Sequence, residues 1–193
     1  MMKIRGFIEG FYNRKPKKND YSFKNSNITH YIYAPKEDSY IRQKWRIKDK
    51  SLESRSIPKN ITQVYTLSPG ADFNRKSKKD FNLLLSKFNF AIDKGFSEVG
   101  LLFDDIDINN IGIESDNKDL GKFHGELISE VTTKLGLSRG WFCPSIYCQS
   151  FSKKGIQNDK YLEGVSEIIN NDLFFLWTGP KVISDFISQD HLK

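Results

Sequence analysis

Cysteine is scarce in this 193-residue chain, with only Cys143 and Cys148. Two cysteines make no disulfide framework. With only three histidines, His30, His124 and His191, they make no zinc site either. Long apolar runs are also missing. No window approaches the roughly 18 apolar residues of a membrane span. The start, Met1-Met2-Lys3-Ile4-Arg5-Gly6, lacks the apolar stretch of a secretory signal. A cytoplasmic protein with no membrane partner is the expectation. No low-complexity linker and no repeat of residue identities divides the sequence, so residues 1–193 are expected to form a single domain.

What is present suffices for a core. Hydrophobic residues make up 38% and aromatics 13% of the chain, which excludes a disordered protein. The net charge of +6 is unevenly placed. Residues 1–96 hold 21 basic and 9 acidic groups, a net +12, and residues 97–193 hold 9 and 15, a net −6. Basic runs such as Arg14-Lys15-Lys17-Lys18, Arg42-Lys44-Arg46-Lys48-Lys50 and Arg75-Lys76-Lys78-Lys79 could track phosphates. No recognised nucleic-acid motif accompanies them, and such runs are usually solvated faces. Nucleic acid is therefore not expected as a partner.

Apolar runs and helical patterns alternate. The runs lie near Ile4–Tyr12, Tyr31–Ala34, Val64–Leu67, Val99–Phe103, Trp141–Tyr147 and Leu173–Trp177. They are short, continuous and rich in aromatic and branched residues, which predicts buried parallel strands. Helical spacing follows in Phe81, Leu84, Leu85, Phe88, Ala91 and Ile92, closed by Gly95. It recurs in Leu120, Phe123, Leu127, Ile128, Val131 and Leu135 before Gly136, and again in Tyr161, Leu162, Val165, Ile168 and Ile169. A weaker pattern predicts a helix around Tyr40–Ile47. Strand–helix alternation implies an α/β fold with a parallel sheet. Six strands fit an open doubly wound sheet or part of a closed barrel; a full eight-unit barrel takes about 250 residues, so this chain falls short by about a quarter.

Each run ends in small or polar residues: Glu9-Gly10, Pro35-Lys36, Ser68-Pro69-Gly70, Asp104-Asp105, Cys143-Pro144-Ser145 and Thr178-Gly179-Pro180-Lys181. In barrels and open α/β sheets alike, sites form at the carboxyl ends of strands. Adjacent acids after a buried strand allow three readings. Alternation lets one carboxylate point over the strand ends while the next leans into the loop. Close carboxylates resist double ionisation, so one stays protonated and serves as a general acid. With Asp107 the acids could instead hold magnesium or calcium. They could also simply cap the following helix. The three histidines fall in no site pattern and are expected to be surface or structural.

The stretches Arg5-Gly6-Phe7-Ile8-Glu9-Gly10-Phe11-Tyr12, Tyr31-Ile32-Tyr33-Ala34-Pro35-Lys36-Glu37-Asp38, Arg42 with Lys44-Trp45-Arg46, Leu67-Ser68-Pro69-Gly70, Leu102-Phe103-Asp104-Asp105-Ile106 and Trp177-Thr178-Gly179-Pro180-Lys181-Val182 together resemble the catalytic domain of glycoside hydrolase family 84. That family holds protein O-GlcNAcases and bacterial β-N-acetylglucosaminidases. The resemblance runs the length of the chain in the family's order. It implies a TIM-barrel (β/α)8 hydrolase that removes terminal β-linked N-acetylglucosamine with retention, from a glycan or glycoprotein. It further implies substrate-assisted chemistry through an oxazoline, with no cofactor and no metal. By the family pattern, Asp104 orients the acetamide, and Asp105 is the general acid and then the general base. Gly10 and Lys36 hold sugar hydroxyls. Tyr147 steadies the acetamide-derived ring, and Cys143, Thr178 and Val182 line the pocket for its methyl group.

The chain also departs from the pattern. It stops at Lys193, before the family's Trp-Asp-Asn strand, Asn-Asp pair and further Asn, so an incomplete barrel of about six βα units is expected. Asn13-Arg14-Lys15 replaces a Gly-Trp, and Ile146 replaces the polar residue before Tyr147. The alternative to an active hydrolase is a truncated, inactive remnant that binds a glycan or a partner.

Overall fold

The computed structural model describes residues 6–9, 27–54, 60–104, 117–169 and 172–192. The chain divides into two compact units, Met1–Gly100 and Leu101–Lys193.

In the first unit, strands β1 (Gly6–Glu9), β2 (His30–Tyr33) and β3 (Thr62–Leu67) are parallel neighbours in that order. Their register aligns Ile8 with Ile32 and Ile32 with Val64. The expectation of buried parallel strands holds for β2 and β3, whose side chains are almost wholly enclosed. It fails at β1. Ile8 is 47% exposed, because β1 has a strand neighbour on one side only among the described residues. Helix α1 (Lys78–Asp93) presents Leu84, Phe88 and Ala91 to the core. Ser77 caps its start by accepting the Asp80 N–H at 3.1 Å. Gly95 ends it at φ +106°, a left-handed conformation that glycine adopts without strain. Tyr33, Tyr65, Phe88 and Phe96 then pack as one aromatic cluster; Tyr33 stacks on Tyr65 at 5.8 Å.

The helix expected around Tyr40–Ile47 is instead a chain of turns. Its backbone bonds run mostly from residue i+3 to i, as in Ile41 N–H to Asp38 and Trp45 N–H to Arg42. A tertiary contact overrides the local pattern. Lys87 of α1, only 1% exposed, drives its ammonium into this segment. It donates to the carbonyls of Tyr40 (2.6 Å) and Ile47. Those carbonyls are thereby drawn away from regular helical bonding.

Strand β4 (Glu98–Leu102) crosses the division between the units. In the second unit its carboxyl end is followed by α2 (Asn117–Lys134), β5 (Gly140–Cys143), α3 (Lys160–Ser166) and β6 (Leu173–Phe175). Strands β5 and β6 are parallel, Phe142 opposite Phe175. Helix α2 buries Leu120, Leu127, Ile128 and Val131 at the expected spacing. Helices α2 and α3 touch backbone to backbone. A Cβ on Gly121 would lie 2.0 Å from the Tyr161 carbonyl oxygen, and one on Gly164 would lie 2.0 Å from that of Lys118. No side chain larger than hydrogen fits there. The third apolar stripe outlasts its helix: α3 ends at Ser166, Ile168 lies in the turn that follows, and the N–H groups of Ile168 and Ile169 both donate to the Val165 carbonyl at 3.1 Å. Among the described residues no helix is long and apolar enough to cross a membrane.

Candidate active site

The second unit carries most of the described candidate residues. Asp104 is half-buried in the turn that follows β4. Its predecessor Phe103 donates its backbone N–H to the Cys143 carbonyl at 2.8 Å, fixing the end of β4 against the end of β5. Cys143 is buried, as expected for a small apolar wall. Gly10, Asp105 and Asp107 lie outside the described residues.

Pro144 ends β5, so the apolar run continues to Tyr147 as a loop. This loop is tied to the segment after β6. The Tyr147 carbonyl accepts the Thr178 N–H at 2.9 Å. The N–H groups of Gln149 and Ser150 donate to the carbonyls of Gly179 (2.9 Å) and Pro180 (3.0 Å). The Thr178 hydroxyl donates to the Lys181 carbonyl at 2.8 Å, which closes the turn that leads to Val182. The Tyr147 ring meets Phe151 edge-on at 5.1 Å. Cys143, Tyr147 and Thr178 thus share one rim. Val182 stands in the following loop and is 43% exposed, rather than enclosed as a methyl pocket would require.

In the first unit, Lys36 sits half-buried in the turn after β2. Asp38 shapes that turn. It accepts the Tyr33 hydroxyl at 2.5 Å and the Tyr40 N–H at 2.8 Å, while its own N–H returns to the Pro35 carbonyl at 3.1 Å. The Lys44-Trp45-Arg46 motif does structural work nearby. Arg46 forks onto Asp80, with Nη2 at 2.7 Å and Nε at 3.1 Å, and also pairs with Asp72. The Trp45 indole donates to Asp72 at 2.9 Å. Arg46 holds the Asp80 carboxyl below its ordinary range. A basic residue committed in this way is not available to phosphates, and Lys44 and Lys48 lie against the rings of Tyr40 and Phe90.

One group escaped the sequence patterns. His124 is buried, with its ring flat on Phe103 at 3.8 Å and an interplanar angle of 5°. Its Nδ1 lies 2.9 Å from the Tyr161 hydroxyl. That oxygen accepts the Ser145 N–H at 3.0 Å. Burial pushes the His124 pKa down to about 3 and raises that of Tyr161. The imidazole is therefore neutral, and one hydrogen bond joins its Nδ1 to the Tyr161 hydroxyl, its direction following the tautomer. A usable signal existed. His124 lies four residues after Leu120 and four before Ile128, on the core stripe of α2, and a buried imidazole demands a partner. The other histidines are structural too. His30 is enclosed near Glu98, and His191 stacks on Trp177 and accepts its indole N–H at 2.9 Å.

Parallel strands alternating with helices, with polar residues gathered at strand ends, define an α/β domain of the TIM-barrel class. The chain belongs to the beta-N-acetylglucosaminidase family, whose model matches residues 5–193. It is 29% identical over 205 aligned residues to the protein O-GlcNAcases of Rattus norvegicus and Mus musculus. That alignment takes in 97% of this chain and 22% of each relative, so the chain spans about a fifth of the length of the curated relatives it matches. Its fold is that of an O-GlcNAc hydrolase variant from Thermobaculum terrenum, with a TM-score of 0.80 at 23% identity. The match covers 98% of this chain and 44% of that one. CpGH84B gives a TM-score of 0.77 at 24% identity, covering 94% of this chain and 34% of the other.

Proposed function

We propose that this chain is the catalytic side of a retaining, O-GlcNAcase-type β-N-acetylglucosaminidase acting on terminal β-linked N-acetylglucosamine of a glycan or glycoprotein. The observation that supports it most is the family match over residues 5–193, together with Asp104, Cys143, Tyr147 and Thr178 at neighbouring strand ends. In this reading Asp104 accepts a hydrogen bond from the substrate's acetamide N–H. The acetamide oxygen becomes more nucleophilic and attacks the anomeric carbon. The bond to the leaving oxygen breaks as Asp105 protonates that oxygen. The product is a cyclic oxazolinium rather than a glycosyl-enzyme, so the usual spacing rule for two carboxylates does not apply. Asp105, now ionised, takes a proton from water as the water attacks the same carbon from the vacated face, and the bond from that carbon to the acetamide oxygen breaks, restoring the acetamide. Two inversions leave the β configuration. Gly10 and Lys36 hold the sugar's hydroxyls, Tyr147 steadies the new ring, and Cys143, Thr178 and Val182 bound its methyl group.

A second reading is a non-catalytic domain that binds a glycan or a partner. The exposure of Val182 favours it, since an open wall grips the methyl poorly. Hydrolysis of 4-nitrophenyl N-acetyl-β-glucosaminide separates the two. The catalytic reading expects turnover, with Asp105→Asn lowering kcat by about 10²–10⁴ and Asp104→Asn by about 10²–10³. Turnover that survives both substitutions removes the assigned roles. Saturable binding of N-acetylglucosamine with no turnover establishes the second reading.

A further inference from the structure

We propose that His124 and Tyr161 are positioning residues that set the spacing between Asp104 and the Cys143–Tyr147 wall; the inference rests on the reading of those residues as the sugar site. The geometry that carries it is one continuous buried chain. Phe103 immediately precedes Asp104, and its ring lies flat under the His124 imidazole at 3.8 Å. His124 meets the Tyr161 hydroxyl at 2.9 Å, and that hydroxyl holds the Ser145 N–H at 3.0 Å. Ser145 lies two residues after Cys143 and two before Tyr147. The chain therefore links the residue before one acid to the middle of the loop that bears the pocket wall, through side chains on α2 and α3.

The loop needs such an anchor. Residues 144–148 lie in no helix or strand, so their backbone groups find no regular ladder. The Ser145 amide is enclosed, and the tyrosine hydroxyl meets its need for an acceptor. The helix crossing fixes the hydroxyl in turn. Glycines 121 and 164 let α2 and α3 approach backbone to backbone, which brings Tyr161 within reach of His124 and the loop together. Among the described residues the imidazole faces Phe103, Phe123 and Tyr161, all uncharged rings, and Nδ1 meets the Tyr161 hydroxyl. The Phe103 N–H to Cys143 carbonyl bond sets the strand spacing at the same level, and the relay sets it again one layer behind.

Tyr161→Phe keeps the ring and removes only the hydroxyl. Two readouts test the proposal. The first needs no ligand: amide hydrogen exchange at residues 145–148. The proposal expects exchange there to quicken at least tenfold, with the amides of α1 and β3 unchanged and cooperative unfolding retained. Unchanged exchange across the loop overturns the proposal whether or not the chain is a hydrolase. The second is hydrolysis of 4-nitrophenyl N-acetyl-β-glucosaminide. Misplaced groups lower kcat at least tenfold with a smaller change in KM, whereas a fall in active protein alone leaves KM and turnover per folded molecule unmoved, and that outcome also overturns it. His124→Phe, which retains the flat contact with Phe103 and removes the hydrogen-bond partner of Tyr161, is expected to repeat both effects more weakly. Absence of turnover in the unsubstituted chain refutes the hydrolase reading, while the exchange result still decides the positioning role.

Discussion

The two units are held by opposite chemistry. The unit up to Gly100 relies on charged side chains, one of them fully enclosed. Arg46 is clamped between Asp72 and Asp80, and Lys87 is sunk beneath two carbonyls. The unit from Leu101 relies on neutral contacts: a histidine kept uncharged by burial, a tyrosine hydroxyl shared by two partners, and two helices pressed together at glycine. Its ion pairs, such as Lys118 with Glu163 and Glu167, lie at the surface, where such pairs add little. The basic excess lies in the same part of the chain, residues 1–96 carrying net +12 and residues 97–193 net −6. The lesson is that acid, alkali and steric substitutions should strike the units unequally.

The largest effect is expected from Gly164→Ala. Its methyl would meet the Lys118 carbonyl at 2.0 Å, backbone against backbone, so neither side can yield cheaply. A loss of about 4 kcal/mol or more, enough to unfold a marginal domain, is expected in denaturant titration. Near-normal stability would mean that the helix crossing is looser than described.

Acid comes next. His124 has a pKa of about 3 when folded against an ordinary 6.5. The unfolded chain binds the extra proton between those values, so this contribution is complete above pH 6.5 and is lost as pH falls toward 3. A single group shifted this far is worth at most about 5 kcal/mol. His124→Phe should flatten the acid limb of stability plotted against pH.

Lys87 works at the other end of the scale. Burial lowers its pKa to about 8 from 10.5. Again the unfolded chain binds the extra proton, now between pH 8 and 10.5, so stability should rise across that window by about 3 kcal/mol at most. Lys87→Met should abolish the rise. It should also destabilise the first unit at pH 7 by about 2 kcal/mol, because two carbonyls lose their donor.

The smallest effect belongs to Arg46→Ala, about 1–2 kcal/mol, held down because water reaches part of the cluster. Raising the salt concentration should narrow the gap between this variant and the parent chain, and should leave the Gly164→Ala loss untouched.

Much of this architecture was legible in the residues. Continuous apolar runs marked β2, β3 and β4 nearly to their ends, because parallel strands enclosed on both faces need apolar side chains throughout. The stripes of α1 and α2 were plain for the same reason. What stayed hidden depends on contacts distant in sequence. Lys87 reaches back about 40 positions to unmake a helix around Tyr40–Ile47. Pro144 and the Tyr161 hydroxyl turn the end of an apparent strand into a loop. Ile8 reads as a core residue but lies on a strand with a single neighbour among the described residues. At the site, the motifs named Asp104, Cys143, Tyr147 and Thr178, and the last three share a rim. No motif named His124, since a buried neutral histidine leaves no trace beyond its place on an apolar stripe.

The central claim is that the substrate's own acetamide performs the attack. It is tested most directly by comparing kcat/KM of this chain for the 4-nitrophenyl β-glycosides of N-acetyl- and N-trifluoroacetylglucosamine. Fluorine withdraws electrons from the attacking oxygen, so the trifluoroacetyl substrate should turn over at least tenfold more slowly, a difference of about 1.4 kcal/mol in the barrier. Equal rates for the two, or no hydrolysis of either, would contradict the account.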